Sequence, residues 1–228
     1  MTKVKEVSRN GSHAAPSPAA PVLVGFDGAD GGRDALELGR LLASVRGSRC
    51  TVAVPDADRL APEARAALED ERAEVRAIGT LSPALLLVRC TESVGAGTLV
   101  LGTSHRGKIG QALIGNVAAQ VLHRAPCEVV VAPRGYASEH HNALRKVGVA
   151  VDGESRLALD CAEELARQAG ATIERLDLAA APTEACSPDI DLLVADSRRP
   201  RDRFLLSSVT KRLITESPCP VLILPPKR

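Results

Sequence analysis

Residues 22–28 read Val-Leu-Val-Gly-Phe-Asp-Gly, and residues 147–153 read Val-Gly-Val-Ala-Val-Asp-Gly. Each is an apolar run of β-formers ending in an Asp-Gly turn signal, and each precedes a stretch with helical apolar spacing. A second pair of phrases closes each half: Arg-Ala-Pro-Cys-Glu-Val-Val-Val-Ala-Pro at 124–133 and Glu-Ser-Pro-Cys-Pro-Val-Leu-Ile-Leu-Pro at 216–225. Repetition of both an opening and a closing strand implies two copies of one α/β unit. Asp27 and Asp152 lie 125 residues apart, but Cys127 and Cys219 only 92, so the second copy is shorter by about 33 residues. That length corresponds to about one helix and one strand with their turns.

Working outward from these phrases, the first copy alternates strands and helices. Strands are expected at 22–26, 51–54, 74–78, 98–101 and 128–132, and helices at 33–45, 61–73, 83–93 and 116–123. The turn-rich stretch 27–32 and the segment 102–115 read as loops; Gly47 ends the first helix, and Ser82-Pro83 starts the third, with the serine as cap. In the second copy, strands are expected at 147–151, 172–177, 191–194 and 220–224, with helices at 155–168 and 208–215. On this parse the missing pieces are the second helix and the third strand. Alternation of this kind predicts βαβ units and parallel sheets. The expected organisation is a disordered leader (1–20), a first domain (21–134), a polar linker (135–145) and a second, truncated domain (146–228), both domains being doubly wound parallel sheets.

Composition narrows the function classes. The chain has 228 residues, 45% of them hydrophobic, with two Phe, one Tyr and no Trp, so its cores must be aliphatic. A net charge of +1 gives no global attraction to nucleic acid or to an anionic membrane. No apolar run is long enough to span a bilayer, and the first twenty residues lack the apolar centre of a secretory signal. The expected location is therefore the cytoplasm. Six cysteines, at 50, 90, 127, 161, 186 and 219, form no CxxC pair and no zinc spacing, and read as small buried hydrophobes.

Three phrases taken together resemble the universal stress protein family: the strand ending in Asp27-Gly28; Leu99-Val-Leu-Gly102-Thr-Ser-His-Arg-Gly107 with its loop running on to Ile114-Gly115-Asn116-Val117; and the closing phrase from Val121 to Val131. The resemblance implies an adenine nucleotide alpha hydrolase-like fold, a five-stranded parallel sheet with helices on both faces. It also implies a tandem chain with a degenerate second half. One branch of the family binds ATP through Gly, two residues, Gly, nine residues, Gly, then Ser or Thr. Glycines allow backbone N–H groups to approach phosphates, and the following helix presents its positive end. Here Gly102 and Gly115 fit that spacing, His105 stands in place of the second glycine and Asn116 in place of the Ser/Thr, while Gly107 lies two residues late. The resemblance further implies that Asp27 contacts the adenosine moiety, that the backbone of Val54 lies by the adenine ring, and that Gly28 opens the loop for the ligand.

Each of these residues has a plainer reading. Asp27 suits a turn or helix start, Gly102 and Gly115 suit ordinary loops, and His105 suits an exposed loop position. Asp27, Asp30 and Asp34 offer carboxylates to magnesium, yet their positions suit turn and first-turn acids. The second copy keeps Asp152-Gly153, but residues 195–208 contain four arginines and no glycine, so no nucleotide is expected there. No Gly-x-Ser-x-Gly elbow, no Walker pattern and no Ser-Gly-Gly-x-Asp-Ser loop is present.

The expected function is that of a stress-response regulatory binding protein whose first domain takes ATP or another adenine nucleotide, with Mg2+ only alongside ATP. The alternatives are an interaction scaffold without nucleotide and, third, a slow ATPase. By analogy with the family's dimers, strand residues 129–131 should pair with 221–223 within this chain, and a further homodimer of the tandem chain is a separate expectation.

Overall fold

Strands buried on both faces need apolar side chains at successive positions, and the central strands here have them. The computed structural model of the chain describes residues 19–70, 73–103, 114–139, 142–151, 156–177, 189–196 and 208–225. The first half runs β1 (Val22–Gly25), α1 (Asp30–Arg46), β2 (Cys50–Val54), α2 (Ala57–Ala67), β3 (Glu74–Ala77), α3 (Pro83–Val94), β4 (Thr98–Gly102), α4 (Asn116–Arg124) and β5 (Glu128–Ala132). A 3₁₀ turn, Tyr136–Ser138, follows. The second half runs β6 (Lys146–Val151), α5 (Arg156–Ala169), β7 (Thr172–Asp177), β8 (Leu192–Asp196), α6 (Ser208–Glu216) and β9 (Val221–Leu224).

All nine strands of the described residues join one sheet in the order β3-β2-β1-β4-β5-β9-β8-β6-β7. Pairing is parallel within each half and antiparallel only where the halves meet, with Val129 opposite Ile223, Val130 opposite Leu222 and Val131 opposite Val221. This is the pairing expected from the closing strands. It covers two edges that would otherwise present unpaired N–H and C=O groups.

Two apolar layers sandwich the sheet. Leu38 and Leu42 of α1, Leu60 of α2 and Leu165 of α5 share one layer, together with Val24, Val149 and Leu222 of the strands. Leu87 of α3, Val121 of α4 and Leu213 of α6 form the other with Leu99, Val131 and Leu193. Each layer crosses the join, so the core of one half is continuous with that of the other.

The strand order of the second half, β7-β6-β8-β9, repeats β2-β1-β4-β5 and has no counterpart of β3 among the described residues. Residues 178–191 stand between β7 and β8 where 55–97 stand between β2 and β4.

Several element boundaries differ from the sequence expectation, for local reasons. Helix α1 begins at Asp30, so Gly31 and Gly32 belong to its first turn and not to the preceding loop. Helix α2 begins at Ala57 because Asp56 caps it, accepting the Arg59 N–H at 3.3 Å; Pro62, at the second position of the expected helix, falls well inside the observed one. Ser82 occupies the N-cap position of α3 in a left-handed conformation (φ 51°) and makes no capping hydrogen bond. The stretch read as a polar linker carries an ordered turn packed on α1, and its Tyr136 and Leu144 are buried. Of the expected leader, residues 1–18 lie outside the described residues.

Candidate functional site at the carboxyl edge of the first half

From β1 the chain crosses to β2 and β3 on one side, then returns to β4 and β5 on the other. The two directions part at the carboxyl ends of β1 and β4. Open α/β sheets form their ligand crevice at such a switch point. Asp27 and Gly28 follow β1, Val54 ends β2 and Gly102 ends β4, so four of the residues singled out by sequence share this edge. Gly115 and Asn116 begin α4, the helix that returns from β4 to β5. His105 and Gly107 lie outside the described residues, as do Asp152, Gly153 and most of the arginine-rich loop of the second half.

Asp27 is exposed, and its Oδ1 accepts the Ala29 N–H at 3.0 Å, an Asx-type turn that leads into α1. Gly28 has φ +84°, and a β-carbon there would sit 2.8 Å from Leu60 Cδ2, so the turn needs glycine for both conformation and space. Val54 is fully buried; its carbonyl accepts the Ile78 N–H at 2.8 Å. The β1–β2 ladder reaches Phe26, whose N–H meets the Ala53 carbonyl at 2.9 Å, and stops where Pro55 has no N–H to offer.

Gly102 has a structural duty that its sequence position did not disclose. A β-carbon there would overlap the Gly31 carbonyl and lie 2.8 Å from Gly31 Cα. Backbone thus packs directly on backbone where the first turn of α1 crosses the end of β4. Gly32 is similarly confined, since a β-carbon added to it would lie 2.8 Å from Phe26 Cδ2 and 2.9 Å from Asp27 Oδ1. The residue after Gly102, Thr103, is 3% exposed and its N–H binds the Ala132 carbonyl at 3.2 Å, while its hydroxyl has no hydrogen-bond partner among the described residues.

Gly115 is the N-cap of α4 with φ −60° and ψ 151°, a conformation open to any residue. Among the described residues, no side chain caps this helix and no acid stands in its first turn, whereas His123 and Arg124 occupy the last. Such an end carries the helix's positive pole and free N–H groups.

The three acids after β1 go separate ways. Asp27 closes its turn, Asp30 pairs with Arg33 at 3.0 Å, and Arg33 reaches on to Glu63 of α2 at 2.8 Å. Asp34 is buried and accepts two N–H groups from the turn after β5, Gly135 at 3.0 Å and Ala137 at 2.9 Å. Its partners lie more than a hundred residues away in sequence, so local reading sees only a first-turn acid. Among the described residues, no group of three His, Cys, Asp or Glu side chains is arranged to hold a metal ion.

The model matching the universal stress protein family covers residues 19–133 and 179–225, well over half of the chain. The chain belongs to the universal stress protein family. Its matched segments hold the whole first half and the β8–α6–β9 end of the second; β6, α5 and β7 lie between them. A universal stress protein from Archaeoglobus fulgidus DSM 4304 superposes with a TM-score of 0.69 at 17% identity, covering 90% of this chain and 97% of that one. A protein of unknown function from Pseudomonas aeruginosa PAO1 gives 0.66 at 17% identity, covering 90% and 92%. At such identity the likeness concerns the fold. No curated protein sequence matches the chain. Among the described residues, no helix of this universal stress protein is long and apolar enough to cross a membrane.

Five cysteines of the described residues are free thiols. Burial pushes the Cys50 thiol up to about 12, with Asp70 adding to it. Burial followed by the Glu128 charge does the same for Cys127 and Cys161, each to about 12. The thiolate is the reactive form, so at pH 8 alkylation of these three by iodoacetamide should be slower in the native protein than in urea by about a thousandfold. Peptide mass analysis checks this; equal rates in both states would contradict it. Because the folded state raises these values, their contribution to stability is complete below the ordinary thiol range and is lost as pH rises from about 9 toward 12.

Proposed function

We propose that this universal stress protein is a regulatory binding protein whose first half holds an adenine nucleotide at the carboxyl edge of β1, β2 and β4, with Mg2+ accompanying ATP. The observation that carries this reading is the Thr103 hydroxyl, a buried polar atom without a partner among the described residues, at the start of the β4–α4 connection. Such atoms are rare and cost about 1–3 kcal/mol when left unsatisfied. The amino end of α4 adds support: with Gly115 as N-cap, no side chain among the described residues caps its N–H groups, and a helix start of this kind suits an anion. Asn116 and Gly115 would face phosphates, and Asp27, Gly28 and Val54 the nucleoside. ATP would supply recognisable phosphate charge, and the chain would supply N–H donors, a hydroxyl and the shape of the edge.

A second reading, an interaction scaffold without nucleotide, is favoured by Gly102. The requirement for glycine at that position is met in full by Gly31, with no ligand involved.

Two measurements separate the readings. ATP with magnesium at a hundredfold its dissociation constant should stabilise the fold by about 2.7 kcal/mol, seen as a rise in Tm. Thr103→Val should leave the stability without ligand unchanged or higher, since the hydroxyl it removes has no partner among the described residues, while weakening ATP about tenfold. Gly115→Val should abolish the ATP-dependent rise. No rise in the wild-type protein at millimolar ATP would leave the scaffold; a full rise in both variants would put the ligand elsewhere.

A further inference from the structure

Asp34 is 3% exposed, and both of its carboxylate oxygens are used: Oδ2 accepts the Gly135 N–H and Oδ1 the Ala137 N–H. The residue between those two amides is Tyr136, itself 3% exposed. Its ring belongs to the same apolar layer as Leu38 and Leu41 of α1 and Leu222 and Leu224 of β9. Burial raises the phenol's pKa, and the charges of Glu37 on α1 and Asp191 in the second half raise it further. One carboxylate thus holds the chain on either side of a buried tyrosine. A carboxylate accepting two backbone amides in a part-buried setting is among the stronger hydrogen-bond arrangements.

The same helix carries the other end of the connection. Gly31, three residues before Asp34, packs backbone to backbone on Gly102, and Gly32 packs on Phe26 and Asp27. Three residues of α-helix rise only about 4.5 Å. Further along, a β-carbon on Gly39 would overlap Val24 Cγ2, so α1 lies flush on β1 along two turns. A helix seated this closely moves as a unit, and close-packed contacts transmit displacement.

We propose that ligand occupancy at the carboxyl edge of the first half is coupled, through α1 and the Asp34 carboxylate, to the Gly135–Ala137 turn that joins the two halves. Asp34 is then a positioning residue for ligand affinity, though it lies away from the ligand. This rests on the nucleotide reading above. Coupling is reciprocal: what steadies the edge steadies the turn, and loosening the turn weakens the ligand by the same factor.

Amide hydrogen exchange on the full chain tests it, with ATP and magnesium as the probe. Exchange at Gly135 and Ala137 should slow by about fivefold or more on adding ATP, whereas Ala96, in the turn before β4 at the opposite edge of the sheet, and Ala171, in the turn before the outermost strand β7, should slow by less. Asp34→Asn, if folded, should bind ATP about fivefold or more weakly, and this loss of affinity should accompany loss of the ATP-dependent slowing. A purely structural Asp34 would lower Tm and leave the affinity alone. If ATP raises the Tm of the wild-type protein while exchange at the turn slows no more than at Ala96 and Ala171, the coupling is overturned, whether or not the variant folds. If ATP raises no Tm at all, the nucleotide reading itself fails and the coupling with it.

Discussion

Gly102→Ala is expected to destabilise the protein by about 4 kcal/mol, enough to leave much of it unfolded at 37 °C. The added methyl would meet the Gly31 carbonyl and lie 2.8 Å from Gly31 Cα, and these are backbone atoms of a helix turn that cannot rotate away. Relief would require lifting the first turn of α1 from β4, and with it Gly32 from Phe26 and Asp27. Urea denaturation followed by circular dichroism would measure the loss as a fall in midpoint. Gly115→Ala is the control: its φ of −60° suits alanine, and the cost of a poorer N-cap is about 1 kcal/mol. Equal effects of the two substitutions would refute the backbone packing assigned to Gly102. The contrast also bears on ligand assays, because loss of binding in a Gly102 variant would report a disturbed fold, whereas loss in a Gly115 variant would report the site.

Asp34→Ala is expected to cost about 3 kcal/mol. The substitution removes the acceptor for two amides, at 3.0 and 2.9 Å, in a part-buried setting, and each amide left without a partner costs about 1–3 kcal/mol. Asp34→Asn keeps one acceptor oxygen and should lose about half as much. Because Tyr136 sits between the two amides, the alanine variant should also expose the phenol: near-ultraviolet absorbance would then titrate in the ordinary tyrosine range, whereas burial holds it above that range in the wild-type protein. Wild-type stability and an unchanged phenol titration in Asp34→Ala would sink this account.

Much of the fold was legible in the chain because its signals are local. Val22–Gly25, Thr98–Gly102 and Glu128–Ala132 are apolar runs next to turn residues, and α1, α3 and α5 have apolar residues at helical spacing. The repeat of opening and closing phrases predicted the antiparallel pairing of β5 with β9, since two copies of one unit bury equivalent edges against each other. Boundaries were less legible where a side chain acts from outside its element, as Asp56 does in starting α2 ahead of Pro62. The candidate site divides in the same way. Asp27, Gly28, Val54 and Gly102 could be assigned to the carboxyl edge from the strands they follow or end, and the structure brings them to neighbouring strand ends. The packing duty of Gly102 and the reach of Asp34 to the turn after β5 had no sequence signal, because each depends on a partner far along the chain.

The sequence by itself determined that this is a repeated α/β chain of the universal stress protein kind, since apolar period, turn residues and motif spacing are properties of adjacent residues. Only the tertiary structure decided which glycine is held by packing and which stands at the N-cap of a helix, and which acid holds the turn after β5. Those distinctions rest on distances between atoms remote in sequence, and such distances exist only once the sheet has formed and the helices are seated on it.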